Sequence, residues 1–97
     1  MKLGRQLSNQ KTKVKIPPNI AKSHVLKAIE KICRDGIPKR RGCRRWAVDY
    51  NGDHYPCKLL ISWANISVNG KELEYNDFTT HEAQQYLTYL QFKVILI

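Results

Sequence analysis

The dipeptide Asn51-Gly52, set between Trp46-Ala47-Val48-Asp49-Tyr50 and Asp53-His54-Tyr55, constrains this chain more than any other feature. Both residues tolerate the positive φ that a type I′ turn needs at its two central positions. Trp46, Val48 and Tyr50 alternate with Ala47 and Asp49 as on a half-covered strand. An antiparallel hairpin is therefore expected at the centre of the chain, with strands over 46–50 and 53–55.

Helical signals flank it. Val25, Leu26, Ile29, Ile32 and Cys33 recur at three- and four-residue spacing, and Gly36 follows them where a left-handed residue ends a helix cheaply. Pro56 supplies the fixed φ of a first helical turn, and Leu59, Leu60, Trp63, Ala64 and Ile66 make a second apolar face that runs out near Asn69-Gly70. Thr79-Thr80-His81-Glu82 has the spacing of a capping box, in which a hydroxyl accepts an early backbone N–H and the carboxylate three residues on accepts one in return. Ala83, Tyr86, Leu87 and Leu90 then give a third helix. Phe92 to Ile97 reads as a strand that has to be paired or covered, since its apolar edge would otherwise invite aggregation. The sum is a single small α+β domain: helix, β-hairpin, helix, helix, strand, with the helices packed on a small antiparallel sheet. The order of the strands is left open.

Ninety-seven residues suffice for one core that buries about 60 to 65% of the unfolded surface. Residues 1–15 are expected to form a flexible basic arm, with Lys13-Val14-Lys15-Ile16 as a candidate short strand, and residues 16–97 the folded domain. The mean hydropathy is −0.51, and no apolar run approaches the ~18 to 20 residues of a membrane span. The basic, polar opening has no apolar export signal, and Cys33, Cys43 and Cys57 are an odd count, so a reducing cytoplasm is the expected setting. The apolar ending Val94-Ile95-Leu96-Ile97 also fits a module followed by further protein.

Charge is unevenly placed. The net charge is +9, of which residues 1–58 carry +11 and residues 59–97 carry −2. The densest cluster, Lys39-Arg40-Arg41-Gly42-Cys43-Arg44-Arg45, runs straight into the strand at Trp46. Five cations in seven residues repel one another, and an anionic partner relieves that repulsion. Nucleic acid is the expected partner, with DNA phosphates bound by Lys39, Arg40, Arg41, Arg44 and Arg45, and by Lys58 just beyond the hairpin; each contact would release counterions. Trp46 and Tyr55 could stack on a base. Against this, Trp46 alternates in phase with Val48 and Tyr50, which favours a core or half-buried place for it, and a solvated loop without a partner is the plain alternative for the basic run. Lys22, Lys27, Lys31 and Arg34 lie off the apolar face of the first helix, where solubilising lysines are ordinary.

Other chemistry finds little support. His54, Cys57, Cys33 and Cys43 are the potential zinc ligands, but structural zinc sites use two closely spaced pairs, and Cys33 falls on an apolar helix face. His54, Asn65 and His81 with Asp49 do not have the hairpin-and-helix placement of an HNH nuclease site, and Cys57 has only His54 as a neighbouring base. No catalytic residue, metal or cofactor is expected.

The spread of short matches His24-Val25-Leu26-Lys27-Ala28-Ile29, Gly36-Ile37-Pro38, Tyr50-Asn51-Gly52, Tyr55-Pro56 with Lys58, Ile61-Ser62 with Ala64-Asn65, and Phe78 resembles the N-terminal head domain of McrA-like, modification-dependent HNH restriction endonucleases, from Ile20 to about Leu96. Cys57 stands where that pattern has a second proline, Thr79-Thr80 where it has glycines, and Gln91 where it has a glycine before Phe92. The resemblance implies a DNA-associated accessory module without its own catalysis, since in such nucleases cleavage belongs to a separate HNH domain. The expected function is thus DNA binding in a restriction-like or DNA-processing system. The alternative is a protein-interaction module that docks on a nuclease or helicase through Tyr75, Phe78, Tyr86 and Tyr89.

Overall fold

In the computed structural model, which describes residues 16–42 and 45–97, helix α1 spans Lys22–Asp35 and buries Val25, Ala28, Ile29 and Ile32, the stripe that the apolar spacing dictates. The expected basic arm, Cys43 and Arg44 lie outside the described residues. Ala21 has no side chain with which to cap α1, and His24 takes over: its Nδ1 accepts the Ala21 N–H at 2.8 Å. At the other end the Gly36 N–H reaches Ile32 O at 2.7 Å. Gly36 has φ +84° with ψ 175°, a glycine-only extended conformation rather than the expected left-handed helical one.

The hairpin forms as the turn dipeptide requires, with Asn51 and Gly52 both at positive φ. Strand β1 is Trp46–Tyr50 and strand β2 is Asp53–Pro56, paired antiparallel with Tyr50 opposite Asp53 and Val48 opposite Tyr55. Cross-strand partners share a face, so Tyr55 follows Val48 into the core. Pro56 does not open the next helix. It closes β2 with ψ 128°, tolerated because β2 is an edge strand, and stands as the N-cap of α2, Cys57–Asn69.

Helix α2 is the centre of the molecule. Cys57 and every residue from Leu59 to Asn65 are buried, and α2 packs against α1 and α3 while reaching the sheet. Ile66, expected on its apolar face, is instead exposed. Leu59, Leu60 and Leu87 are fully buried, each worth about 1.5 to 3 kcal/mol of transfer free energy. Gly70 ends α2 in the left-handed conformation. The chain then folds back along α2, held by the one pair of buried polar side chains among the described residues. Ser62 Oγ donates to Leu73 O, the Leu73 N–H returns to Ser62 O at 3.2 Å, and Asn65 Nδ2 donates to Lys71 O at 2.8 Å.

A short 3₁₀ turn at Tyr75–Asp77, unforeseen from the sequence, leads to α3, Thr80–Tyr89. Both bonds of the expected capping box are made: Glu82 N–H to Thr79 Oγ1 at 3.1 Å, and Thr79 N–H to Glu82 Oε1 at 2.8 Å. Strand β3, Lys93–Leu96, pairs antiparallel with β1 on the side away from β2, so the sheet order is β2-β1-β3 and the hairpin's first strand is central. The architecture is the expected α+β domain. Helix α1 packs chiefly on α2 and touches the sheet where Cys33 Sγ meets Tyr55 Oη at 3.4 Å. Cys33 thus sits at the margin of the apolar stripe, exposed as a residue.

Candidate functional site

The basic loop between α1 and β1 is shaped by a turn in which the Arg41 N–H reaches Pro38 O at 3.1 Å. Arg40 occupies its third position at φ +66°, a conformation that costs an L-residue about 1 to 2 kcal/mol and that glycine adopts freely. Gly42 does not take a positive φ and has open space where a side chain would stand. The far end of the loop is fixed by the ladder of β1 and β3, extended by the Ile97 N–H to Arg45 O at 2.7 Å.

Between this loop and the start of α2 lies a cleft of about 280 Å³. The loop contributes Arg40, Arg41, Gly42 and Arg45; β1 contributes Trp46; the β2–α2 junction contributes Pro56, Cys57, Lys58 and Leu59; and Tyr75 and Thr80 close it from the far side. Cations 13 to 18 positions apart in sequence converge here. Lys58 Nζ donates to Tyr75 O and lies 3.6 Å from the Tyr75 ring centroid and 5.1 Å from that of Phe78. Arg41 Cζ lies 5.0 Å from the same Tyr75 ring, and its Nη1 meets Glu72 Oε2 at 3.3 Å. Tyr75 is thus clamped between two cations, a favourable use of its negative ring face. Its place follows from the Ser62 and Asn65 bonds that press residues 71–73 against α2.

The electrostatics of the cleft are unbalanced. The Arg41 side chain is only 16% exposed, and its Nη2 is a buried donor without a partner among the described residues, a condition that costs about 1 to 3 kcal/mol when nothing relieves it. Burial, and then the charge of Arg41, pull the Lys58 ammonium below its ordinary pKa. The first turn of α2 has neither a side-chain cap nor an acidic residue, so its N–H groups keep their partial positive charge at the cleft wall. Glu72 at the rim is the one acidic partner that Arg41 has there among the described residues.

The structure sorts the residues singled out in the sequence. Arg40, Arg41, Arg45, Trp46 and Lys58 come together in the cleft. Lys39 is exposed on the same loop but does not line it, and Arg44 lies outside the described residues. The stacking role for Tyr55 is corrected: it is 6% exposed, packed in the core, with its hydroxyl on Cys33. That contact, with burial, pushes its phenol up to about 12. Trp46 shares the face of Val48, as its phase requires, yet is 37% exposed, because β2 has already given way to α2 where a partner would cover it. Its ring lines the cleft on one side and a second depression with Gln84, Gln85, Thr88 and Val94 on the other. Tyr75, Glu72 and the first turn of α2 were not read as parts of a basic site; Tyr75 and Glu72 sit in an irregular segment without periodicity.

The basic residues of α1 do not extend the cleft. Lys31 and Arg34 pair with Asp35 at 3.0 and 3.3 Å, and Lys22 and Lys31 lie over Phe92 and Trp63. Among the described residues no three His, Cys, Asp or Glu side chains gather as a metal site, and no helix is long and apolar enough to cross a membrane. The fold and cleft define a small α+β domain with a cation-lined, aromatic-edged concavity. No protein-family model, curated protein or solved structure matches the chain.

Proposed function

We propose that this domain is a non-catalytic nucleic-acid-binding module that holds DNA phosphates in the cleft between the basic loop and the start of α2. The observation that carries this reading is the convergence of Arg40, Arg41, Arg45 and Lys58 on one cleft, beside a helix N-terminus without a side-chain cap and a buried guanidinium nitrogen without a partner among the described residues. Guanidinium forks and helix-terminal N–H groups both suit phosphate oxygens. Trp46 at the cleft edge offers an exposed ring to a base, the place that Tyr55 does not take. In line with the resemblance to the head domains of McrA-like nucleases, the module would serve as an accessory in a restriction-like or DNA-processing system, beside a nuclease or helicase partner.

The aromatic residues of the alternative docking face disperse. Phe78 is in the core, Tyr86 is half-buried and donates its hydroxyl to Ile20 O at 2.7 Å, Tyr75 belongs to the cleft, and only Tyr89 of the four stands mostly clear, 76% exposed. That leaves the cationic cleft as the better-supported binding surface.

The test is anisotropy binding of labelled duplex and single-stranded oligonucleotides across a salt series, comparing the parent with a variant carrying Arg40→Ala, Arg41→Ala and Arg45→Ala. Three lost phosphate contacts should flatten the slope of log K against log salt by about 2 to 3. A folded variant that binds as the parent does would end this reading.

A further inference from the structure

The cleft is more cationic than an internal phosphodiester can use. Such a group carries one negative charge and two free oxygens. Here Arg40, Arg41, Arg45 and Lys58 face one space of about 280 Å³, with the N–H groups of the first turn of α2 beside them, while Glu72 pairs with Arg41 and the charge of Glu82 acts on Lys58. A phosphomonoester carries about −1.5 to −2 at neutral pH and three acceptor oxygens. The space is large enough for a phosphate with part of the nucleoside that bears it.

We infer that the cleft is a receptor for the terminal phosphomonoester of a nucleic-acid strand, with Arg41, Lys58 and the start of α2 on the phosphate and Trp46 beside the terminal nucleoside. This rests on the nucleic-acid reading above and adds that strand ends are held in preference to strand interiors. Three features meet in it. Arg41 lines the cleft with Nη2 buried and without an acceptor among the described residues, so Glu72 is the one carboxylate paired with it there. Burial and the charge of Arg41 both disfavour the Lys58 ammonium, and a dianion in the cleft offsets them. Arg40 is kept in a conformation that glycine would adopt without strain, so the loop retains a charged side chain at that cost.

The experiment uses the full chain and one internally labelled single-stranded oligonucleotide in three forms: 5′-phosphorylated, 3′-phosphorylated, and with hydroxyls at both ends. Expected is about tenfold tighter binding of one phosphorylated form, the size of one added charge-assisted contact. Millimolar inorganic phosphate should compete away that gain while leaving the hydroxyl form bound. Lys58→Met should abolish the gain. Glu72→Gln, an exposed position with no burden in the core, should enlarge it by releasing Arg41, so the idea stays testable if the lysine variant folds poorly. Equal binding of all three forms, within twofold and with a steep salt slope, would overturn the strand-end inference and leave general DNA binding standing. No binding of any form, with phosphate ion still shifting the backbone amide resonances of Cys57 to Leu59, would overturn both readings in favour of a small-phosphate site. Absence of binding and of shifts would overturn both outright.

Discussion

Arg40 and Tyr55 mark how far a single side chain's surroundings can depart from what its type suggests. Arg40 at φ +66° stores strain in the loop that lines the cleft. Arg40→Gly should raise the stability read from urea unfolding by about 1 kcal/mol while weakening oligonucleotide binding, the opposite signs separating a functional residue from a structural one. Tyr55 holds its proton in the fold up to about pH 12, against 10.0 for an ordinary tyrosine. The unfolded chain therefore loses that proton first, so the stability that Tyr55 contributes is complete below about pH 10 and drains away between 10 and 12. Unfolding midpoints measured from pH 9 to 12 should fall less steeply in Tyr55→Phe than in the parent. The pairing of Tyr55 with Val48 was legible once the turn was placed, since Asn51-Gly52 sets Tyr50 against Asp53. The φ of Arg40 was not, because nothing in a run of like cations says where the chain turns.

At the scale of elements, local chemistry carries most of the design. The Asn-Gly hairpin, the Thr79 and Glu82 box and the Gly70 stop each form from residues within a few positions of one another, which is why sequence reading reaches them. Helix α3 ends in a Schellman motif, with Phe92 N–H to Leu87 O at 3.0 Å and Gln91 N–H to Thr88 O at 2.9 Å, and with Gln91 at φ +74° in the position that glycine prefers. Gln91→Gly should stabilise the domain by about 0.5 to 1 kcal/mol, seen as a higher urea midpoint at unchanged slope. Pro56 shows the limit of such reading. Its φ of −65° suits a first helical turn as well as the last residue of an edge strand, and only the pairing of β2 with β1 chose the strand. The return of residues 71–73 onto α2 had even less of a local signal, being set by Ser62 and Asn65 bonding backbone carbonyls six to eleven positions away.

For the whole molecule, the unequal charge of the two halves becomes a cleft only because three separate segments meet. The loop before β1 brings three arginines, the junction after β2 brings Lys58 and the N-terminus of α2, and the fold-back after α2 brings Tyr75 and Glu72. Lys58 falls beside the loop because the hairpin returns the chain to the level of Trp46 before α2 begins. By itself the sequence determined the α+β class, the element order, the hairpin, the capping box of α3, the Gly70 stop and the place where positive charge gathers, all of which depend on spacing and on interactions between near neighbours. The tertiary structure decided the strand order, the burial of Tyr55, the half-exposure of Trp46 and the partners of Arg41 and Lys58. Those depend on contacts between residues far apart in the chain, whose relative placement is fixed only when the core closes around α2.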